Sequence, residues 1–266
     1  MSSSPHFLMC PPDYFEVAYE INPWMSVQRR VDHGKAVSQW QAYHTLLTQT
    51  LGVKVELIPA VKGLPDLVFT ANAGLVRKRI FVRSNFRFKE RRGEEPYYEK
   101  WFKKNGYILK TVDRPFCFEG EGDALFMGSD LFMGYHFRSD LEAHELVAQL
   151  VKTSYFALEL CDDRFYHLDT CFAPLDDQTA LIFFPAFESC SQMILWETVP
   201  DPIQVPEDEA VRFACNAVVL GKRVILPEGC PQVSKELEKR GYAVYPLDFS
   251  EFIKAGGAAK CLVLKL

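Results

Sequence analysis

Asn216-Ala217-Val218-Val219-Leu220-Gly221-Lys222-Arg223-Val224-Ile225-Leu226 is two short apolar runs joined at Gly221-Lys222-Arg223. Such a stretch predicts an antiparallel hairpin, because glycine reaches the positive φ that a tight turn between twisted strands needs. A polar residue, Asn216, heads the first run. The arrangement recurs along the chain. Asn72 heads a run to Val76, with a turn at Arg77-Lys78-Arg79 and a return at Ile80-Phe81-Val82. Asp123 heads a run to Met127, followed by Gly128-Ser129-Asp130 and Leu131-Phe132-Met133. Asp169 heads a run to Ala173, with a longer turn and a return over 180–184. Cys261 heads the last run, Leu262 to Leu266, behind Gly256-Gly257-Ala258-Ala259-Lys260.

These five heads are separated by 51, 46, 47 and 45 residues. Between them lie helix candidates, each followed by a strand. The helices span 31–51, 94–104, 140–151 and 232–240, with a further segment at 192–198; the strands span 53–58, 107–110, 155–160 and 242–245, with a weak one near Ile203. Residues 11–22 alternate apolar positions (Phe15, Val17, Tyr19, Ile21) and read as a first strand, the partner expected for the run that Cys261 opens. A period near 50 with one ββαβ unit per repeat predicts a ring of five units, the last closing on the first. A doubly wound parallel sheet places its strands singly between helices; here each unit carries a hairpin. The expected fold is α/β, one domain over residues 1–266.

The 266-residue chain carries a net charge of −5 and no basic patch with interleaved aromatics, so nucleic acid is not an expected partner. No apolar run nears the 18 or so residues that cross a bilayer, so neither is a membrane. Met1-Ser2-Ser3-Ser4 does not open a signal peptide. None of the eight cysteines forms CxxC or a zinc spacing, which points to reduced thiols in the cytoplasm and no metal. A homo-oligomer is left open.

The ring would bring Asn72, Asp123, Asp169, Asn216 and Cys261 toward one axis. Burying such groups costs free energy unless they pair or bind something, and a site is expected there. Phe118-Glu119-Gly120-Glu121-Gly122-Asp123 repels phosphate; it suits a cation or is an acidic surface turn. His167 and Asp169, two apart, would share one strand face. With Cys261 they supply a nucleophile, a proton-transfer group and an anionic partner; a buried structural cysteine is the alternative. Asp66 leads into the first hairpin. Arg87, Arg91, Arg92 and Arg138 read on their own as solvated surface charges.

The stretches PDLVFTANAG (65–74), RFKERRGEE (87–95), FEGEGDAL (118–125), GYHFR (134–138), YHLDTCF (166–172) and GGAAKC (256–261) resemble guanidine-modifying enzymes of the pentein superfamily. These include arginine deiminases, dimethylargininases, glycine amidinotransferases and arginine dihydrolases, with the arginine dihydrolase domain the best match. The resemblance implies a five-bladed α/β propeller with pseudo-fivefold symmetry, and no cofactor. It implies Cys261 as nucleophile and His167 as acid/base. Glu119 and Asp169 would hold a guanidinium, Arg91 and Arg138 the substrate carboxylate, and Asn22 and Asn72 would line the pocket. Some dihydrolases add a C-terminal domain that processes ornithine; five residues follow Cys261 here, so that activity is not expected. One hydrolytic round on arginine gives citrulline, and two give ornithine. The resembled deiminases have Asp where this chain has Asn72, and a neutral amide suits a retained ureido group. Arginine dihydrolysis is the expected function. Dimethylargininase, arginine deiminase and a non-catalytic guanidine-binding module are the alternatives.

Overall fold

A computed structural model describes residues 5–112 and 115–266. The chain opens with β1 (His6–Met9), crosses through α1 (His33–Thr45) and returns in β2 (Lys54–Leu57), parallel to β1. Helix α1 starts where the Asp32 side chain accepts from the Lys35 amide, which satisfies one orphan donor of the first turn. It buries Ala36, Gln39, Trp40 and Tyr43, one helical face. The helical path continues past Thr45 in a wider turn over Leu46–Thr50, so the expected helix to Leu51 is irregular at its end.

Four further units follow one plan. β3 (Gly74–Arg77) and β4 (Ile80–Arg83) form a hairpin, α2 (Lys89–Arg92) and α3 (Glu95–Lys104) cross over, and β5 (Ile108–Thr111) lies parallel to β4. β6 (Ala124–Met127), β7 (Asp130–Tyr135), α4 (Leu141–Val151) and β8 (Tyr155–Glu159) repeat it. So do β9 (Phe172–Pro174), β10 (Thr179–Ile182), α5 (Ser189–Thr198) and β11 (Asp201–Gln204). After α6 (Glu207–Ala210) come β12 (Val218–Leu220), β13 (Arg223–Pro227), α7 (Pro231–Lys239) and β14 (Ala243–Leu247). The chain ends with α8 (Ser250–Ile253) and β15 (Leu264–Lys265). The result is an α/β fold of five three-stranded sheets. In three hairpins the first loop residue has positive φ: Lys78 at 57°, Gly128 at 58° and Gly221 at 63°. The third hairpin instead pairs Pro174 with Ala180 across a longer loop.

Two expectations are corrected. The first strand is His6–Met9, not 11–22, and it is this strand that pairs with β15, Phe7 opposite Lys265 and Leu8 opposite Leu264. Pro11 and Pro12 lack the N–H groups a ladder needs. The chain leaves the sheet there, and Phe15 turns inward to stack on Phe252, ring centroids 4.9 Å apart. Val17, Tyr19 and Ile21 pack on the same cluster, so their alternation reports packing in a loop. Second, the polar heads do not sit on strands. Asn72 and Asp169 lie in single 3₁₀ turns, Thr70–Ala73 and Leu168–Thr170, and Asp123 directly follows a third, Gly120–Gly122. Cys261 precedes β15 in a turn where Leu262 N donates to Ala258 O and Val263 N to Lys260 O. On a strand successive side chains alternate between the two sheet faces, and a turn at the strand's end frees the polar head from that alternation.

Apolar side chains fill the space between sheets, with Phe132, Phe165, Phe172 and Leu181 in one cluster and Phe15, Phe69, Phe213 and Phe252 in another. No helix of the described residues is long and apolar enough to cross a membrane. The buried Thr70 hydroxyl donates to Leu8 O (2.9 Å) and lies 3.0 Å from Leu262 O, so it ties the first unit to both chain ends. Thr70→Val keeps the shape and removes the single O–H that serves these two carbonyls. We expect a loss of about 1–3 kcal/mol in unfolding free energy by urea denaturation; an unchanged midpoint would show that the hydroxyl is not needed for this junction.

Candidate active site

The turn that carries Cys261 can form only with glycine at two positions. Gly256 has φ +83°, and a Cβ there would lie 2.7 Å from Tyr166 Oη and 2.9 Å from Asn22 Oδ1. A Cβ on Gly257 would sit 2.6 Å from the Phe69 ring. Tyr166 Oη donates to Gly256 O (2.6 Å), Asn22 Nδ2 to Ala255 O (3.1 Å) and Tyr43 Oη to Ala259 O (3.0 Å). Cys261 is 2 % exposed. Its thiol donates to Asp169 Oδ2 at 3.3 Å, and Asn216 Nδ2 donates to its sulfur at 3.1 Å.

His167 and Glu119 form the second part of the site. Glu119 Oε2 accepts from His167 Nε2 (2.8 Å) and from Arg138 Nη1 (2.9 Å), and Glu119 Oε1 accepts from Arg87 N (3.2 Å). Arg138 also donates to Ile21 O and lies between the Phe88 and Tyr166 rings. Burial pushes the Glu119 carboxyl up, but Arg138 and the His167 bond outweigh it and hold it well below the ordinary carboxylate range. An ionised carboxylate only accepts, so Nε2 of His167 carries the hydrogen. Nδ1 is then the free nitrogen, and it has no partner among the described residues.

Asn72 and Arg91 form the third part. Arg91 Nη1 donates to Asn72 Oδ1 (2.7 Å), while its Nε and Nη2 grip Glu94, both at 2.8 Å. Asn72 Nδ2 has no partner among the described residues. A Cβ on Gly122 would come within 2.4 Å of that nitrogen and 3.2 Å of the His167 ring, so this glycine lets the two approach. Arg91 and Arg138 are 3 % and 2 % exposed, which overturns their reading as solvated charges. Arg87 fits that reading better; it is part-exposed and pairs with Asp140. A small cleft is bounded by Asn22, Asp66, Asn72, Arg91, Arg138 and Cys261. A separate cavity of about 710 Å³ shares no residue with it.

The acidic loop is neither a surface turn nor a convergent cation site. Glu119 faces Arg138 and His167, Glu121 pairs with Lys260 at 2.8 Å, and Asp123 accepts from Ser139 Oγ (2.6 Å) and Leu168 N (3.1 Å). Among the described residues no group of three His, Cys, Asp or Glu is arranged to hold a metal ion. In the sequence Asn216 is a repeat position with no assigned role. Its period was the signal, and the structure puts it on the sulfur.

A family model described as "N,N dimethylarginine dimethylhydrolase, eukaryotic" matches residues 12–266. The chain belongs to the dimethylarginine dimethylaminohydrolase family. Within this family it is 41% identical to the N(G),N(G)-dimethylarginine dimethylaminohydrolase of Mycobacterium tuberculosis, over 98% of this chain and 85% of that one. It is 42% identical to the bifunctional arginine dihydrolase/ornithine cyclodeaminase ArgZ of Synechocystis sp., over 100% of this chain. The match spans 38% of ArgZ, so the chain corresponds to a little over a third of that relative. The product-bound crystal structure of the ArgZ N-terminal domain superposes with a TM-score of 0.95, at 42% identity, covering 99% of this chain and 97% of that one.

The electrostatics of this family member pull its two site carboxylates apart. Burial raises Asp169 to about 7 against the opposing pull of Lys260 and the Cys261 bond, while Glu119 stays ionised. Burial and Asp169 push the Cys261 thiol well above its ordinary value. A carboxyl raised in the folded state holds its proton there more tightly than in the unfolded chain. Stability therefore falls as pH rises from about 4 through about 7, then levels. Asp169→Asn removes this cost. The variant should match wild type near pH 4 and exceed it increasingly toward pH 8 in denaturant melts; parallel pH curves for the two proteins would refute the buried-carboxyl account.

Proposed function

We propose that residues 1–266 act as one catalytic domain, a five-bladed α/β propeller with pseudo-fivefold symmetry, that hydrolyses arginine twice at the guanidinium carbon. The observation that carries this is a neutral amide, Asn72, with a free N–H donor on the cleft that Cys261 also lines. The likeness to ArgZ, named as an arginine dihydrolase, supports it. The balanced reaction takes arginine and two waters to ornithine, carbon dioxide and two ammonia.

In this reading Glu119 and Asp169 hold the guanidinium by charge-assisted hydrogen bonds. Arg91 and Arg138 face the substrate carboxylate, and Asn22 and Asn72 line the pocket. The cation offsets the burial that holds the Cys261 proton, and the thiolate attacks the guanidinium carbon. Nδ1 of His167 takes the Cys261 proton and gives it to the departing ammonia, then takes a proton from the water that opens the thiouronium intermediate and returns it to the released sulfur. The thiolate supplies the nucleophile, so the scheme calls on no cofactor. The eight free thiols suit the reducing cytoplasm.

Dimethylargininase is the second reading, favoured by the family model and by the M. tuberculosis relative. Arginine, citrulline and dimethylarginine offered separately, with products identified by mass spectrometry, decide between them. We expect ornithine and two ammonia per arginine, and none from Cys261→Ala. Asn72→Asp should shift output toward citrulline by about ten-fold, because a carboxylate beside the neutral ureido group loses a contact worth roughly 1–3 kcal/mol. Citrulline as the wild-type end product would make the enzyme a deiminase, and dimethylamine release without arginine turnover would make it a dimethylargininase.

A further inference from the structure

Asn216 is fully buried at the head of the fourth hairpin, and every polar atom of its side chain is used. Oδ1 accepts from three backbone amides of the terminal turn: Ala258 N at 3.0 Å, Lys260 N at 3.0 Å and Cys261 N at 3.2 Å. Nδ2 donates to Cys261 Sγ at 3.1 Å and to the backbone oxygen of Asp169 at 3.0 Å. One amide therefore touches the turn that carries the thiol, the sulfur itself and the residue whose carboxylate faces that sulfur. The Lys260 N–H is shared with the backbone oxygen of Asn216, at 3.2 Å.

We propose that Asn216 is a positioning residue of the reaction: it fixes the Cys261 turn through Oδ1 and, through Nδ2, supplies a hydrogen bond that favours the thiolate once the Cys261 proton departs. A hydrogen bond from an amide favours a thiolate over a thiol, since the charged acceptor forms the stronger bond. Among the described residues it is the one neutral side-chain donor on the sulfur, whose other side-chain hydrogen-bond partner is an acidic group that opposes ionisation. Leucine or alanine here would take the side-chain acceptor from three turn amides, and aspartate would place a second carboxylate on the sulfur. Asparagine alone serves both ends at this reach.

The inference rests on Cys261 as the nucleophile, but its test needs no substrate, so the two fail separately. Asn216→Asp keeps an acceptor for the three amides and replaces the N–H on the sulfur by an oxygen. Alkylation of Cys261 by iodoacetamide is followed across pH by peptide mass mapping, with exposed Cys161 and Cys190 as internal controls. A change in access scales the rate equally at every pH, whereas a change in the thiol moves the midpoint. We expect the Cys261 midpoint to move up and the rate near neutral pH to fall about ten-fold or more. Should Asn216→Asp fail to fold, Asn216→Ser is read the same way; its hydroxyl is too short to bridge turn, sulfur and Asp169 together, and the same upward move is expected. An unmoved midpoint in a folded variant overturns the proposal. Loss of fold in both variants overturns it too, in favour of a purely structural asparagine.

Discussion

Two residue pairs, Phe7 with Lys265 and Leu8 with Leu264, join the first strand to the last. Every other sheet draws its strands from one continuous stretch of chain; the first sheet draws one from the far end. β15 is only two residues long, so the ladder cannot hold it alone. Thr70 reaches Leu8 and Leu262 together, and Ala71 N donates to Cys261 O at 3.1 Å. The turn of the first unit thus clasps the turn of the last. Cys261 lies three residues before β15, so the same closure that completes the sheet sets the sulfur in place.

The second constraint is electrostatic. Glu119, Glu121, Asp123, Asp169, Glu94 and Asp66 are all buried. Each ionised carboxylate is expensive to bury unless cations and N–H donors face it. Arg138 and His167 face Glu119, Arg91 grips Glu94, and Lys260 pairs with Glu121. Among the described residues no cation pairs with Asp169, and burial raises it to about 7 against the more distant pull of Lys260. The arginines that look like surface charges in the sequence are therefore structural counter-ions as much as candidate substrate ligands. Arg91 meets Glu94 three residues on, a local spacing visible in RRGE at 91–94, but only the fold shows that both are buried.

The repeat was legible because hairpins carry local signals. Lys78, Gly128 and Gly221 mark two-residue loops, and the helix faces repeat at 3.6. The first strand was not legible, because four residues with Pro11 behind them carry little pattern, while the longer alternation from Phe15 to Ile21 imitates a strand. Packing of a loop against Phe69 and Phe252 leaves the same trace as a half-buried strand. At the site, His167, Asp169 and Cys261 were readable from residue type and phase. The role of Asn216 was not, since an amide that serves one turn amide and one serving a sulfur read alike in sequence. Its value comes from a contact 45 residues away.

Charge explains why the two proposed rounds place different demands on the same pocket. The thiol donates to Asp169, so one proton sits between two groups that burial makes reluctant to ionise. An arginine guanidinium brings a positive charge, and its field offsets the negative charge left when that proton departs. A ureido group brings no charge. The second attack therefore cannot draw on the same field and must rely on hydrogen bonds that hold the neutral carbonyl over the sulfur. Glu119 cannot donate one, because Arg138 keeps it ionised. Arg91 spends four of its five N–H donors on Glu94, Asn72 and Asp66 O, and in the proposed reading the fifth serves the substrate carboxylate. Asn72 Nδ2 is left as the neutral donor on that side, fixed in direction because Arg91 holds its Oδ1. The buried ion pair of Arg91 with Glu94 thus has a chemical consequence: it sets the rotation of one amide, the amide that in the proposed reading faces the group distinguishing one hydrolysis from two.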